Sequence, residues 1–211
     1  MRSGQLRQGS PAVKYRGIFI NDEDWGLQPW AAQTFEPETR DIGPKTYAKV
    51  FELLLRLKAN FLWPAMHPTT APFNGDPAKA RLSNASLADR YAIVMGSSHA
   101  EPMLRNNVGE WKAPAADYDY ARNRGGVLGY WRERVQANGG YENLYTLGMR
   151  GIHDSGMVGA DSLEGRKALL EKIFADQRRL LTERGLEGAP QVFTPYKEVL
   201  DVYRGGLKVP D

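Results

Sequence analysis

The chain has 211 residues, of which 42% are hydrophobic and 25% are charged, a composition typical of a folded domain with its own core. The 28 Lys and Arg residues barely outnumber the 25 Asp and Glu residues and are spread along the chain, which disfavours a nucleic-acid-binding protein. The absence of cysteine excludes disulfides and thiolate metal sites. No apolar run approaches the roughly 18 residues that span a bilayer, and the first residues lack the apolar centre of a signal peptide.

Short apolar runs alternate with longer amphipathic stretches, a pattern typical of strand and helix units around a parallel sheet. The predicted strands are short and largely uncharged, as expected for strands that are covered on both faces. In chain order, the sequence predicts strands at 17–21, 60–63, 91–95, 144–149 and 191–194.

Helices are predicted between these strands. The first begins at Pro44, a favoured first helical residue, and a short helix is predicted at 77–89 and another at 117–136. The apolar stripe of the first helix, which we expect to pack on the sheet, consists of Tyr47, Val50, Phe51, Leu54 and Leu57.

The helix between the fourth and fifth strands has the strongest signals. Asp161 and Glu164 have the spacing of a capping box, and Gly185 suits the left-handed residue that ends a helix. The apolar face of this helix is formed by Leu169, Leu170, Ile173, Phe174 and Leu181.

Five such units could form an open doubly wound sheet, but no glycine-rich phosphate loop follows any predicted strand. The long loops after the first three strands favour an α/β fold of the (β/α)8 TIM-barrel type, which typically needs about 250 residues. We therefore expect a barrel truncated to about its first five β/α units. Residues 1–14 are expected to be a linker from an upstream domain, and residues 15–211 to be the partial barrel.

Polar and aromatic side chains follow every predicted strand, and all three histidines are among them. In a parallel α/β fold these loops converge on one face, where ligands bind. The candidate side chains after strands one to five are Asp22, Glu23, Asp24, Trp25 and Trp30, then Trp63 and His67, then His99 and Glu101, then Arg150, His153 and Asp154, then Tyr196, Lys197 and Glu198.

Asp154 and Glu198 are the best candidates for a catalytic pair, because they follow neighbouring strands and each lies next to a cation. Hydrolysis of a glycosidic bond generally requires two carboxyl groups, one protonated and one ionised. An acidic sugar would also need a carboxylate clamp, which Arg150 or Lys197 could supply. The structural alternatives are a helix cap for Asp154, a first-turn charge for Glu198, and ion pairs within this group.

The sequence gives weaker support to two other kinds of catalytic site, a metal site and a serine nucleophile. His67, His99 and His153 could bind a metal, but each lies about 30 or more residues from the next, and no HExxH motif is present. Ser97 and Ser98 follow the third strand, but GSSHA is not a nucleophile elbow.

Five loop motifs, taken together, resemble glycoside hydrolase family 115, and they cover most of the chain. The matching stretches are YRGIFINDED (15–24), LKANFLWPAMH (57–67), YAIVMGSSHAEPMLRN (91–106), YTLGMRGIHDSGM (145–157) and FTPYKEV (193–199).

The resemblance implies an inverting xylan α-1,2-glucuronidase that removes glucuronic acid, or its 4-O-methyl form, from glucuronoxylan or aldouronic oligosaccharides. Asp154 and Glu198 match carboxylates that are essential in the family, and Arg150 and the acidic residues 22–24 match substrate-binding positions. We expect Glu198 to be the acid and Asp154 the base. The resemblance implies an internal fragment, inactive by itself, of a secreted or periplasmic parent that needs no cofactor and binds neither nucleic acid nor membrane, and it is compatible with a homodimer of that parent.

Two alternatives to this enzyme remain. One is a non-catalytic carbohydrate-binding barrel, which the retention of Asp154, Glu198 and Arg150 disfavours. The other is a metal-dependent hydrolase that uses the three histidines.

Overall fold

The structure, a computed structural model, describes residues 9–75 and 83–211 and is a mixed α/β fold. Residues 1–8 of the predicted linker, and 77–82 of the predicted short helix, lie outside the described residues. All five predicted strands are confirmed, each shorter than predicted. The strands are β1 (Gly17–Phe19), β2 (Phe61–Trp63), β3 (Val94–Met95), β4 (Tyr145–Leu147) and β5 (Gln191–Phe193).

The strands form two parallel sheets that follow the order of the chain. In the first sheet β1 pairs with β2 and β2 with β3, and in the second β4 pairs with β5. A parallel bridge between Met95 and Asn143 connects the end of β3 to the segment that leads into β4. Among the strands that the structure describes, the order never reverses, so no switch point of the doubly wound kind is present.

Seven α-helices are described, and the longer ones lie between the strands. They are α1 (Leu27–Trp30), α2 (Pro44–Arg56), α3 (Asn84–Arg90), α4 (Asn107–Glu110), α5 (Arg124–Asn138), α6 (Leu163–Thr182) and α7 (Glu198–Arg204).

Helix α2 begins at Pro44, as predicted, and most of its predicted stripe is confirmed. Tyr47, Phe51 and Leu54 are buried, and Val50 packs against the same core. Leu57 was predicted wrongly, because the helix ends at Arg56 and Leu57 is 69% exposed. The next residue, Lys58, has a φ of 60°, and the chain leaves the helical path at this left-handed residue. Leu57 therefore lies outside the buried stripe.

The predicted capping box of α6 is wrong, although its predicted apolar face is confirmed. The capping residue is Ser162, whose hydroxyl accepts a 3.0 Å hydrogen bond from the Gly165 amide. Gly185 does end the helix. It has a φ of 67°, and the amides of Gly185 and Leu186 donate to the carbonyls of Thr182 and Leu181, the pattern of a Schellman motif. The buried positions are Leu170, Ile173, Phe174 and Leu181, with Leu169 partly buried.

The two remaining helix predictions differ from the structure at their starts. Helix α5 begins at Arg124 rather than at residue 117, because the Asn123 side chain caps it through the Gly126 amide. The described part of the short helix begins at Asn84, where the Ser83 hydroxyl accepts a hydrogen bond from the Ser86 amide. Side-chain caps, rather than helix propensity, fix both starts.

Two clusters of buried side chains form the core. In one, α5 and α6 pack on β4 around Trp131, Tyr145 and Phe174. In the other, α2 and α3 pack on the first sheet around Phe51 and Leu62. Each large apolar side chain buried in this way contributes roughly 1.5–3 kcal/mol. Within residues 9–75 and 83–211, no helix is both long enough and apolar enough to cross a membrane.

A buried ionic network ties α5 to α6. The Asp176 carboxylate, 4% exposed, accepts two 2.8 Å hydrogen bonds from the Arg124 guanidinium and a third from the Tyr120 hydroxyl, and Arg179 pairs with it as well. The hydrogen bonds from Arg124 hold the pKa of Asp176 at about 2, below its ordinary 3.8. This carboxylate therefore stabilises the folded state while it is ionised.

We expect Asp176→Asn to lower the free energy of unfolding at pH 7 by about 1–2 kcal/mol, since the partly exposed guanidiniums are screened by solvent. The lowered pKa places this contribution above pH 4, and it disappears as the pH falls from about 4 to 2. Urea unfolding of wild type and variant should therefore converge over that range. A control variant, Asp161→Asn, changes an exposed carboxylate and should track the wild type. A deficit in Asp176→Asn that stayed constant down to pH 2 would contradict this account.

Candidate functional site

The loops that follow the five strands meet, and the pairs of side chains that join them define the candidate site. Asp154 follows β4 and Glu198 follows β5, and the Arg150 guanidinium contacts both carboxylates. Its Nε donates to Glu198 Oε1 at 3.1 Å, its Nη2 donates to Glu198 Oε2 at 2.8 Å, and its Nη1 pairs with Asp154 Oδ1. Arg150 is 3% exposed, so one buried cation holds two carboxylates at the carboxyl ends of neighbouring strands.

The surroundings of Glu198 favour its ionised form. Burial raises its pKa, but the hydrogen bonds from Arg150 and from the Met157 amide, the latter 2.8 Å long, outweigh burial and lower the pKa below its ordinary value. Glu198 is also the first residue of α7, where a negative charge is favoured by the helix dipole.

Asp154 is held by three loops. Besides Arg150 of its own loop, Lys197 Nζ donates to Asp154 Oδ2 at 2.7 Å, and His99 Nε2 lies 2.9 Å from Asp154 Oδ1. Burial lowers the pKa of His99, and the nearby positive charges of Arg150 and Lys197 lower it further. A neutral His99 can donate Nε2–H to Asp154 and fix the orientation of that carboxylate.

Tyr196 covers the polar cluster from the solvent side. Its ring lies 4.3 Å from the His99 ring, and the charged groups of Arg150 and Lys197 are 5.6 Å and 5.3 Å from its centre. These distances permit cation–π attraction, and the ring remains partly exposed. Tyr196 thus gives the site an aromatic wall.

The backbone at the site is strained. His153, Asp154 and Lys197 have φ angles of 48°, 62° and 50°, in the left-handed region that is unfavourable for residues with a Cβ, and Asp22 in the first loop has a φ of 56°. Such conformations cost on the order of 1–3 kcal/mol each and concentrate at functional sites. Here they carry one candidate catalytic side chain, Asp154, and three candidate substrate-binding side chains.

Asn107 supports this strained turn, and the sequence analysis missed it. Its side chain is buried, accepts a 3.0 Å hydrogen bond from the His153 amide and donates a 3.0 Å hydrogen bond to the Ala100 carbonyl. One amide group therefore joins the loop after β3 to the turn that presents Asp154. Asn107 directly follows the motif YAIVMGSSHAEPMLRN, and this position next to a family motif was the only sign of its role in the sequence.

The acidic loop after β1 forms a second polar group with His67. His67 Nδ1 lies 2.8 Å from Asp24 Oδ1, its Nε2 lies 3.6 Å from Asp22 Oδ1, and its backbone amide donates to Glu23 Oε1 at 2.6 Å. The rings of His67 and His153 are 5.9 Å apart, edge to face. This contact brings the first two loops next to the turn that carries Asp154.

Other predicted residues lie beside the cluster without joining it. Glu101 is buried, and burial raises its pKa well above the ordinary value, helped by the charges of Glu110 and Glu23. The Trp63 ring packs edge to face against the rings of Phe19 and Phe61, so it contributes to the packing of the first sheet.

The other two predicted tryptophans lie nearer the solvent. Trp30 stacks on Phe35, with ring centres 4.9 Å apart. Trp25 follows the acidic loop directly and is 82% exposed.

The three histidines are engaged with neighbours of different kinds. His67 pairs with Asp24, His99 pairs with Asp154, and the His153 amide binds Asn107. In the part of the chain that the structure describes, no group of three or more His, Asp or Glu side chains is arranged to hold a metal ion.

Comparison with known proteins gives a consistent family. The family model described as "Glycosyl hydrolase family 115" matches residues 8–211. Among solved structures, the chain is similar to BtGH115A, a family GH115 4-O-methyl-α-glucuronidase with specificity for decorated arabinogalactans, with a TM-score of 0.87 and 52% sequence identity. The match covers 95% of this chain but 27% of that protein, so the chain spans about a quarter of its length. No curated protein matches the chain.

We expect the His99 imidazole to titrate below its ordinary pKa of 6.5 and to be mostly neutral at pH 6.5. Lys197→Gln should raise its pKa, because a nearby positive charge is removed. NMR titration is practical here because the chain has three histidines. Lys172→Gln removes the same charge from the exposed surface of α6 and is the matched control. A His99 midpoint above 6.5, or one unmoved by Lys197→Gln, would refute this electrostatic description.

Proposed function

The chain belongs to glycosyl hydrolase family 115, and from that premise we propose that it removes glucuronic acid, or its 4-O-methyl form, from the α-1,2 branches of glucuronoxylan. The observation that carries the proposal is the pair of carboxylates, Asp154 and Glu198, joined by Arg150 at the ends of neighbouring strands. Decorated arabinogalactans are the second candidate polymer, because BtGH115A, 52% identical to this chain, has specificity for them.

The proposed reaction is a single displacement that uses both carboxyl groups. Asp154 removes a proton from a water molecule while the water oxygen attacks the anomeric carbon. The bond from that carbon to the glycosidic oxygen breaks, and Glu198 supplies the proton that the leaving oxygen needs. The configuration at the anomeric carbon is therefore inverted.

The acid role of Glu198 depends on its surroundings when sugar is bound. Without sugar, the hydrogen bonds from Arg150 and Met157 keep its pKa low, which favours the ionised form. A bound sugar excludes water from Glu198, and exclusion of water raises the pKa of a carboxyl group. We propose that this change brings Glu198 to the protonated state in which it can act as the acid.

Inversion requires space for water between the two carboxyl groups, typically about 6.5–9.5 Å. In this chain the Arg150 guanidinium lies between Asp154 and Glu198 and keeps them out of direct contact. The inverting mechanism that we propose predicts a separation in this range once sugar and water are bound.

We propose that the remaining accessible site residues bind the substrate through polar groups, an aromatic ring and positive charge. Asp22, Asp24, His67, His99 and His153 carry polar groups that are partly accessible. Tyr196 offers a ring face and Lys197 offers positive charge, whereas the predicted binding residues Trp63 and Arg150 are engaged with the sheet and with the two carboxylates. Glu23 and Glu101 are buried, so we propose that they support the loops from below.

We propose that the five strands belong to a (β/α)8 barrel. The parallel order without reversal supports this, as do the candidate residues at the carboxyl ends of the strands. We propose that the working enzyme is secreted or periplasmic, because its proposed substrate is a polymer or fragments of one.

The test of the catalytic pair uses the complete natural protein that contains these 211 residues. We expect wild type to release glucuronic acid from glucuronoxylan. Asp154→Ala and Glu198→Ala should each reduce kcat roughly a thousandfold, about 4 kcal/mol of barrier. On an aryl α-glucuronide, whose leaving group needs little protonation, Glu198→Ala should lose far less activity and Asp154→Ala should lose as much as on xylan. NMR of the first product should show the β-anomer.

Three outcomes would count against parts of this proposal. If glucuronic acid were released from arabinogalactan but not from xylan, arabinogalactan would become the proposed substrate in place of glucuronoxylan. If the activity of Asp154→Ala were restored on the aryl α-glucuronide, Asp154 would be the acid and Glu198 the base. Retention of full activity by both variants would reject the pair. Glu164→Ala, which removes an exposed carboxylate from α6, is the control and should match wild type.

A further inference from the structure

An acidic sugar must be distinguished from a neutral one by a positive charge that can reach its carboxylate. Two cations, Arg150 and Lys197, lie beside the candidate catalytic pair. The inference drawn from them rests on the proposed removal of glucuronic acid.

Arg150 is poorly suited to receive the carboxylate of the sugar. Nε and Nη2 of its guanidinium are used by Glu198, and Nη1 pairs with Asp154. Its side chain is 3% exposed and is covered by Tyr196. A sugar carboxylate would have to reach this buried side chain and compete there with two carboxylates that it already contacts.

Lys197 has the opposite properties. Its side chain is 52% exposed, and two contacts hold it in the site: Nζ donates to Asp154 Oδ2 at 2.7 Å and lies 5.3 Å from the centre of the Tyr196 ring. An ammonium group has three donors, so it can bind Asp154 and a sugar carboxylate together.

The other basic side chains in the cluster are less suitable. His67 is paired with Asp24 and Asp22, and its ring contacts His153. His99 is paired with Asp154, and burial together with the charges of Arg150 and Lys197 lowers its pKa, which favours the neutral form. A neutral imidazole can donate a hydrogen bond to the sugar but does not select for charge.

We propose that Lys197 is the residue that recognises the carboxylate of the acidic sugar, and that Arg150 instead fixes the two catalytic carboxylates relative to each other. Lys197 is thus a specificity-determining residue, and Arg150 is a positioning residue.

The experiment compares an aldouronic oligosaccharide with its methyl ester, which lacks the negative charge and differs otherwise by one methyl group. Both are assayed with the complete natural protein, and the readout is the ratio of kcat/KM for acid over ester. In Lys197→Gln this ratio should fall roughly tenfold to a hundredfold, mainly through a higher KM for the acid, as expected for loss of a hydrogen bond to a charged group. Lys197→Arg should retain much of the preference.

Arg150→Lys separates the two roles. It should lower kcat for the acid and the ester by similar factors and leave their ratio unchanged. A ratio unchanged in Lys197→Gln, or one that collapses in Arg150→Lys, would overturn the inference without affecting the proposed function.

Binding provides an independent readout. Free glucuronate, titrated by calorimetry, should bind Lys197→Gln at least tenfold more weakly than wild type. A protein that binds glucuronate through Lys197 and hydrolyses no aldouronic substrate would support this inference while rejecting the proposed function. Equal binding of glucuronate by wild type and Lys197→Gln would reject the inference.

Discussion

The candidate site depends on one buried guanidinium. Arg150 is enclosed by protein and contacts both Asp154 and Glu198. Removing one partner of a buried ion pair typically costs 3–5 kcal/mol, because the remaining charge is left without compensation. Because Arg150 is shared between two carboxylates, it links the ends of β4 and β5 electrostatically. Its positive charge stabilises a negative charge at both positions.

Neutral groups hold the same site in place from outside. Asn107 connects the loop after β3 to the turn before Asp154, and the Met157 amide reaches Glu198. These hydrogen bonds are individually modest, roughly 0.5–1.5 kcal/mol or somewhat more to a charged group. Their value lies in geometry, since the bonds of the His153 and Met157 amides each join segments that follow different strands. The site is therefore assembled by loop-to-loop contacts above a sheet that supplies the spacing.

The sequence predicted the features that repeat along the chain and missed those that depend on one contact. Apolar runs located all five strands, and the buried stripes of α2 and α6 followed from helical spacing. The start of α6 at Ser162 and the exposure of Leu57 were missed, because caps and left-handed residues depend on single side chains and angles. Likewise, the clustering of charged residues after strands was predictable, and ion pairs within the group were an open alternative, but the geometry by which Arg150 contacts both carboxylates required the structure.

The left-handed backbone at Asp154 and Lys197 has a consequence for protein engineering. Glycine would relieve the conformational cost at these positions, by on the order of 1 kcal/mol. A directed-evolution screen that rewards heat resistance alone would therefore favour replacing these two side chains, together with the charges that they bring to the site. Thermostable variants of this domain should be selected with turnover as a joint criterion, because these two positions are also ones to which the proposed chemistry assigns a role.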